Sequence, residues 1–366
     1  MRDSEAKILV LRDFCTRAKG ADCERCAIAC PQAAISLTPD GGTGRLPLID
    51  AARCNSCGIC LGICDAFSST RVTLLDVHTR ARRIALKGDA VCFTCKENIF
   101  PGLEPAACVI VLPCLASLPP EFWALLLAEN IPTAISCDLA YCADCDRAGE
   151  LGERLYAHAI KTAEAWCAKK LRFRDTIPEK EALLKDLADP EGVDRRGAFT
   201  NLIGDVGDIA SGKRRLRNSE VLQQFLERRE RSRAIAQLNF SDIEEPNSFA
   251  PLGHTKKTLF PKRQMLLEAL EYDPAIAPRI PFFHADIDPA LCRGELCCCG
   301  CCPTGALSPH PDTGARNFHP RYCVACGICQ DTCPHGAINL VEATAQVLVQ
   351  ADEAAAADPP SGNRQA

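Results

Sequence analysis

Residues 54–64 read CNSCGICLGIC, and residues 322–338 read YCVACGICQDTCPHGAI. Both carry cysteines in the spacing C-x2-C-x2-C-x3-C: Cys54, Cys57, Cys60 and Cys64 in the first, Cys323, Cys326, Cys329 and Cys333 in the second. Chance rarely satisfies such a spacing, and packing gives no reason for it. A looser set precedes each run: Cys15, Cys23, Cys26 and Cys30-Pro31, then Cys292, Cys298 and Cys302-Pro303, with Cys297, Cys299 and Cys301 crowded nearby. Two half-motifs at each end are an internal repeat.

Working outward, the chain has 26 cysteines in 366 residues. They fall in three blocks, Cys15 to Cys64, Cys92 to Cys167 and Cys292 to Cys333, with none between Cys167 and Cys292. Disulfide frameworks belong to short secreted domains that cannot build a core. This chain is long, and its start, MRDSEAKILVLRDFC, lacks the pattern of a signal peptide. Reduced thiolates holding metal in a reducing compartment, the cytoplasm, are therefore expected. The longest apolar stretch, Ala106 to Leu118, is broken by Pro113 and is shorter than the roughly 20 residues of a spanning helix. A net charge of -5 argues against a nucleic-acid-binding surface. Four clusters, each adding about -2, would take the loaded protein to roughly -13.

The spacing has a physical logic. Two-residue gaps in a tight turn aim successive sulfurs at one iron cube, and the last cysteine, stepping onto a short helix, aims at another. Gly58 tolerates left-handed backbone where a side chain would crowd the cluster. Zinc would use two C-x2-C pairs, not overlapping triplets. The first block resembles a bacterial-type ferredoxin domain with two 4Fe-4S clusters, and the last repeats the theme. Carried over, the resemblance gives one cluster to Cys54, Cys57, Cys60 and Cys30, and a second to Cys23, Cys26, Cys64 and Cys15. Seven residues separate Cys15 from Cys23, and Asp65 stands where the family has proline. In the last block Cys323, Cys326, Cys329 and Cys302 would hold a third cluster, and Cys292, Cys298 and Cys333 part of a fourth. The cysteine expected between Cys292 and Cys298 is replaced by Glu295. Glu295 itself as an oxygen ligand, a nearby cysteine swinging in, or loss of the cluster are the alternatives. Cys297 is the favoured substitute, because thiolate is the better ligand for iron-sulfur.

The middle block alternates apolar strand-like runs, Cys108 to Cys114 and Thr133 to Cys137, with helices opened by Pro119-Pro120 and spanning Arg147 to Lys170. That pattern predicts a parallel α/β layer with functional groups past the strand ends, where Cys114 and Cys137 fall. Two C-x2-C pairs, Cys92 with Cys95 and Cys142 with Cys145, suit one metal site, zinc or 2Fe-2S. The block also resembles the iron-sulfur delta subunit of methyl-viologen-reducing hydrogenase, which implies a redox centre. Lys213 to Arg233 reads as a charged, solvated helix, with Asn201 to Arg217 and Ser241 to His254 loosely ordered. His335, between Pro334 and Gly336, reads as a histidine of a surface turn, with tuning of a cluster from outside its ligands as the alternative.

The expected architecture is α+β. A dicluster ferredoxin-like domain of βαβ repeats (1–81), a cysteine-rich α/β domain (82–174), a charged helical spacer (175–280), a second ferredoxin-like domain (281–350) and a disordered tail (351–366) follow one another. No phosphate-cradling loop, dinucleotide fingerprint or catalytic triad is present. The expected function is electron transfer through four 4Fe-4S clusters between redox partner proteins, within a hetero-oligomeric anaerobic oxidoreductase. The alternatives are thiol-disulfide or sulfur chemistry in the middle block, and metallocentre assembly.

Overall fold

The computed structural model of the chain describes residues 8–37, 46–137, 142, 144–180, 257–310 and 313–350. The spacer helix at Lys213 to Arg233, the segments Asn201 to Arg217 and Ser241 to His254, and the tail from 351 lie outside the described residues.

The amino-terminal module runs β1 (Ile8–Val10), α1 (Arg25–Ile28), β2 (Ile35–Leu37), β3 (Pro47–Ile49), α2 (Ile59–Ile63) and β4 (Phe67–Ser69). Its outer strands pair antiparallel, Ile8 opposite Ser69, and its inner strands do the same, Ile35 opposite Ile49. A small core of Cys15, Cys26, Ile35, Ala66 and Phe67 lies between. Two of those five are cysteines, so apolar burial alone closes little of this module.

A parallel sheet follows, as the alternation of runs predicts. After α3 (Leu74–Ala85), which a reciprocal Thr73–Asp76 capping box starts, come β5 (Val91–Cys95), β6 (Val109–Leu112), α4 (Pro120–Ala128), β7 (Thr133–Ile135), α5 (Gly149–Cys167) and β8 (Arg172–Phe173). The strand order is β6-β5-β7-β8 with every pair parallel. Pro120 at the first helical position suits the start of α4. Residues Phe122 to Ala128 are all buried, because α4 lies between the sheet, α5 and a further helix, α6 (Pro261–Tyr272). A helix apolar all round needs such enclosure. Phe93, Phe122 and Trp123 pack edge to face there, with centroids 5.2 to 6.0 Å apart.

Contrary to the sequence expectation, residues 257–280 are not spacer: Met265, Leu266, Leu267, Leu270, Ile276 and Ile280 belong to the same buried core as α4. Alternation of apolar and charged residues hid this helix, which buries one face only.

The carboxy-terminal module runs β9 (Pro281–Ile287), α7 (Cys297–Cys301), β10 (Leu307–Pro309), β11 (Arg316–Phe318), α8 (Ile328–Thr332) and β12 (Ile338–Thr344). Outer strands β9 and β12 pair antiparallel, as do inner strands β10 and β11. The pairing scheme is that of the first module. The chain is a mixed α/β structure with ferredoxin-type domains at both ends and a parallel sheet between them.

Candidate iron-sulfur centres

Two cysteine-lined cavities mark the end modules. One, with about 380 Å³ of open space, is lined by Cys30, Cys54, Cys57 and Cys60 among mostly apolar residues. The other, with about 330 Å³, is lined by Cys302, Cys323, Cys326 and Cys329. The backbone aims the sulfurs. In the first quartet Ser56 and Gly58 both take left-handed backbone (φ 56° and 80°), and in the second Ala325 and Gly327 repeat it (φ 51° and 81°). Each glycine also starts the short helix that carries the third cysteine. A side chain at Gly58 would meet Ser117 Cβ at 3.1 Å, which, with its backbone, explains glycine there.

The partner quartet of the first module also gathers. Cys26 lies within electrostatic reach of Cys15, Cys23 and Cys64, so the lengthened loop still brings Cys15 to the other three. At the far end Cys297 faces Cys298, Cys333 and Glu295, and Arg316 Nη1 donates to Cys292 Sγ at 2.8 Å. Asp65, in the family's proline position, caps a distant helix, since its carboxylate accepts from the Lys262 N–H at 2.8 Å, at the start of α6.

Burial pushes the thiols up, Cys60 and Cys329 to about 12 and Cys26 to about 11. Desolvation penalises the thiolate, and neighbouring sulfurs add to it. Such groups ionise in place when cationic iron supplies the opposite charge. Four sulfurs in an apolar shell, held by a repeated strained turn, fit a 4Fe-4S cluster.

A third cavity of similar size, about 390 Å³, lies in the middle domain and is lined by Cys95, Cys114, Cys137, Cys142 and Cys145. Cys95, Cys142 and Cys145 come together as the pairs predict, but Cys92 does not join them. It is fully buried within β5, opposite Val109 and Ala134 and near Cys108. Three residues apart on a strand, Cys92 and Cys95 point to opposite faces. Cys114 and Cys137, just past the ends of β6 and β7, line the cavity instead. Sequence reasoning placed both at strand ends but did not join them to the paired cysteines, because only the pairing of β6 and β7 on either side of β5 brings them together. Tyr156, missed altogether, turns its buried hydroxyl toward Cys137 without a regular hydrogen bond. Hydrogen bonding from Cys95 outweighs burial and draws the Cys137 thiol down to about 6, with Asn98, Tyr156 and Cys142 assisting. Asn98 Nδ2 donates to Cys95 Sγ at 3.3 Å.

All 26 cysteines are free. Among the described residues no three or more His, Cys, Asp or Glu side chains close on one metal-ion position. The sulfurs line spaces in all three cavities. Among the described residues no helix is long and apolar enough to cross a membrane.

Residues 21–67 match the family of the 4Fe-4S dicluster domain, and residues 317–339 match that of the 4Fe-4S binding domain. The chain is thus an iron-sulfur protein. Its 4Fe-4S clusters belong to these two end domains. The first match excludes Cys15, the second excludes Cys292 to Cys302, and neither reaches the middle block. The likeness of that block to the hydrogenase delta subunit finds no support in the matches. Comparison with curated proteins and with solved structures found no match.

Proposed function

We propose that the protein is a relay that passes single electrons through a row of clusters between redox partner proteins, as a subunit of a cytoplasmic, hetero-oligomeric oxidoreductase. The observation that carries this reading is the contiguity of the cysteine groups. Cys114 of the middle cavity lies within electrostatic reach of Cys57. Asn55, beside Cys54, donates to the Arg147 carbonyl at 2.7 Å, and Arg147 Nη1 donates back to the Asn55 carbonyl at 2.9 Å. Beyond the first module, Lys19 stands within electrostatic reach of both Cys15 and Cys302. The order is then middle cavity, Cys54 quartet, Cys15 quartet, Cys302 quartet, and the site around Cys333. Delocalised clusters exchange one electron with little rearrangement, and hydrogen bonds and burial set their potentials. The chain's own residues exclude water, hold the sulfurs and place charge.

In this reading the middle cavity takes a 2Fe-2S cluster or zinc. A second reading, sulfur or thiol-disulfide chemistry, is favoured by its having five thiols around one space, more than one four-coordinate centre uses. Anaerobic protein tests both. About sixteen irons per chain from four cubes, with about two more irons or one zinc from the middle site, reducible stepwise, with the middle thiols protected from alkylation and a partner enzyme copurifying, is the outcome expected of the relay. Four or more alkylatable middle thiols beside intact end clusters would transfer the function to the second reading. A monomer that copurifies with nothing and trades electrons freely with small ferredoxins would remove the complex.

A further inference from the structure

The first half-motif of the carboxy-terminal module carries a glutamate where its sister motifs carry cysteine, and the backbone shows whether the loop has shifted to compensate. In Cys54–Cys60 the residue before the second cysteine, Ser56, and the residue after it, Gly58, are left-handed, and a helix starts at the next residue. In Cys323–Cys329 the same two positions, Ala325 and Gly327, are left-handed, and a helix again follows. Between Cys292 and Cys298 those positions are Gly294 (φ 76°) and Leu296 (φ 58°), and α7 starts at Cys297.

The loop is therefore in register, with Glu295 at the ligand position. A leucine in left-handed backbone is strained, costing on the order of 1 kcal/mol, and no local slip has relieved it. The extra cysteines fall where the register demands no ligand. Cys297, Cys299 and Cys301 of α7 stand at the register positions of Ile59, Leu61 and Ile63 in α2, and Cys297, partly exposed, lies within electrostatic reach of Cys298, Cys333 and Glu295. Cys299 is 1% exposed, as a small apolar residue would be. Glu295 keeps a side chain 52% exposed, and its Oε1 is held by His335 Nε2 at 2.9 Å. Its second oxygen is left for another partner.

We propose that Glu295, and not Cys297, completes the ligand set of Cys292, Cys298 and Cys333, so that the terminal centre has one surface-facing iron bound through oxygen. A hard carboxylate suits iron-sulfur poorly, so this iron exchanges its ligand or leaves, whereas the cysteine-bound irons stay. The ligand class it accepts from solution is a soft anion, a thiolate, which displaces the carboxylate without any change of oxidation state. His335 retains the freed carboxylate. The inference rests on the cluster-bearing reading of the carboxy-terminal module and adds an exchangeable corner at one end of the relay.

The test uses the full chain, purified anaerobically with its clusters, treated with ferricyanide and a chelator. Each 4Fe-4S centre in its 2+ state that loses the corner gives a three-iron centre in its 1+ state, one Fe2+ to the chelator and one electron to ferricyanide. Expected are one three-iron paramagnetic signal and one released iron per chain in the wild type, both abolished in Glu295→Cys and both unchanged in Cys297→Ser. Added 2-mercaptoethanol should change the spectrum of the reduced wild type and not that of Glu295→Cys. Absence of a three-iron signal in the wild type, equal conversion in Glu295→Cys, an iron content of Cys297→Ser lower than wild type before oxidation, or a thiol effect of equal size in both proteins would each overturn the proposal. Dithionite reduction of the remaining clusters in every variant is the internal control. If it persists while the conversions fail to differ, the ligand assignment is wrong and the relay stands. If it is missing in the wild type, the relay itself is wrong.

Discussion

Lys19 Nζ donates to the carbonyl oxygen of Pro303 at 2.8 Å, joining residues 284 positions apart. Pro303 follows Cys302, and Cys15 lies near the same ammonium, so one cation stands between two cysteine groups of different modules. Burial lowers the Lys19 pKa, opposed by Asp13, Cys302 and Cys15. A cation favours the reduced, more negative form of each neighbouring cluster. Partly exposed, it is worth on the order of 1 kcal/mol or less to each.

Lys19→Met should therefore lower the potentials of the two clusters it faces, by roughly 20–40 mV for a one-electron couple. It should leave the Cys54 and Cys333 centres near their wild-type values. Potentiometric titration followed by paramagnetic resonance reads this directly. Equal shifts at all centres would mean that the lysine acts through general charge and not through its position.

Gly62 packs its backbone against the turn that follows Cys114. A Cβ there would lie 2.2 Å from the Ala116 carbonyl oxygen and 3.2 Å from Ser117 C. Alanine is the better helix former by about 1 kcal/mol, yet neither backbone can yield. Gly62→Ala should cost about 1–3 kcal/mol net and weaken magnetic coupling between the Cys54 quartet and any paramagnetic centre in the middle cavity. Anaerobic urea unfolding and the reduced-state spectrum check the two effects. A variant as stable as wild type would deny the contact.

Asp65 explains a departure that the sequence displayed without its reason. Its carboxylate serves the start of α6, nearly two hundred residues away in sequence, and Lys262 Nζ reaches back to the Gly62 carbonyl at 2.8 Å. Burial pushes the Asp65 pKa up, opposed by Lys262. Asp65→Ala should cost about 1 kcal/mol, with Asp65→Asn recovering part of it by restoring an acceptor. Urea midpoints at fixed slope would show the ranking, and an Asn variant worse than Ala would contradict it.

How far the sequence went follows from how local each feature is. Ligand spacing in the end modules is local, since a turn of a few residues aims three sulfurs, and both quartets were legible for that reason. In the middle block the same C-x2-C spelling misled at Cys92, because a strand sends residues three apart to opposite faces. Cys114 and Cys137 meet only through the pairing of β6, β5 and β7. The helix at 261–272 was hidden because PKRQMLLEALEY mixes charge with a single apolar stripe. Glu295 was legible in register. What the sequence alone did not show is that Leu296 keeps the glycine's backbone.

Glu129 makes the middle domain's stability depend on pH. At 6% side-chain exposure it accepts from His78 Nε2 at 3.0 Å and from Arg82 Nε at 2.7 Å, tying α3 to the end of α4. Burial acts to raise its pKa, but the hydrogen bonds from His78 and Arg82 prevail and hold it below the ordinary glutamate value of 4.5. A depressed carboxyl stabilises the fold above its unfolded pKa and loses that stabilisation as pH falls through the folded one. At pH 7, Glu129→Gln should cost about 2 kcal/mol, the worth of a hydrogen bond to a charged group. Below pH 4.5 the gap between wild type and variant should shrink toward zero, since protonated Glu129 then resembles glutamine. Urea unfolding followed by the fluorescence of Trp123, which sits in the same core, gives the difference at each pH. Cluster loss in acid is common to both proteins and cancels in that difference. A gap that stayed constant from pH 7 to pH 4 would show that packing of the side chain, and not its charge, joins α3 to α4.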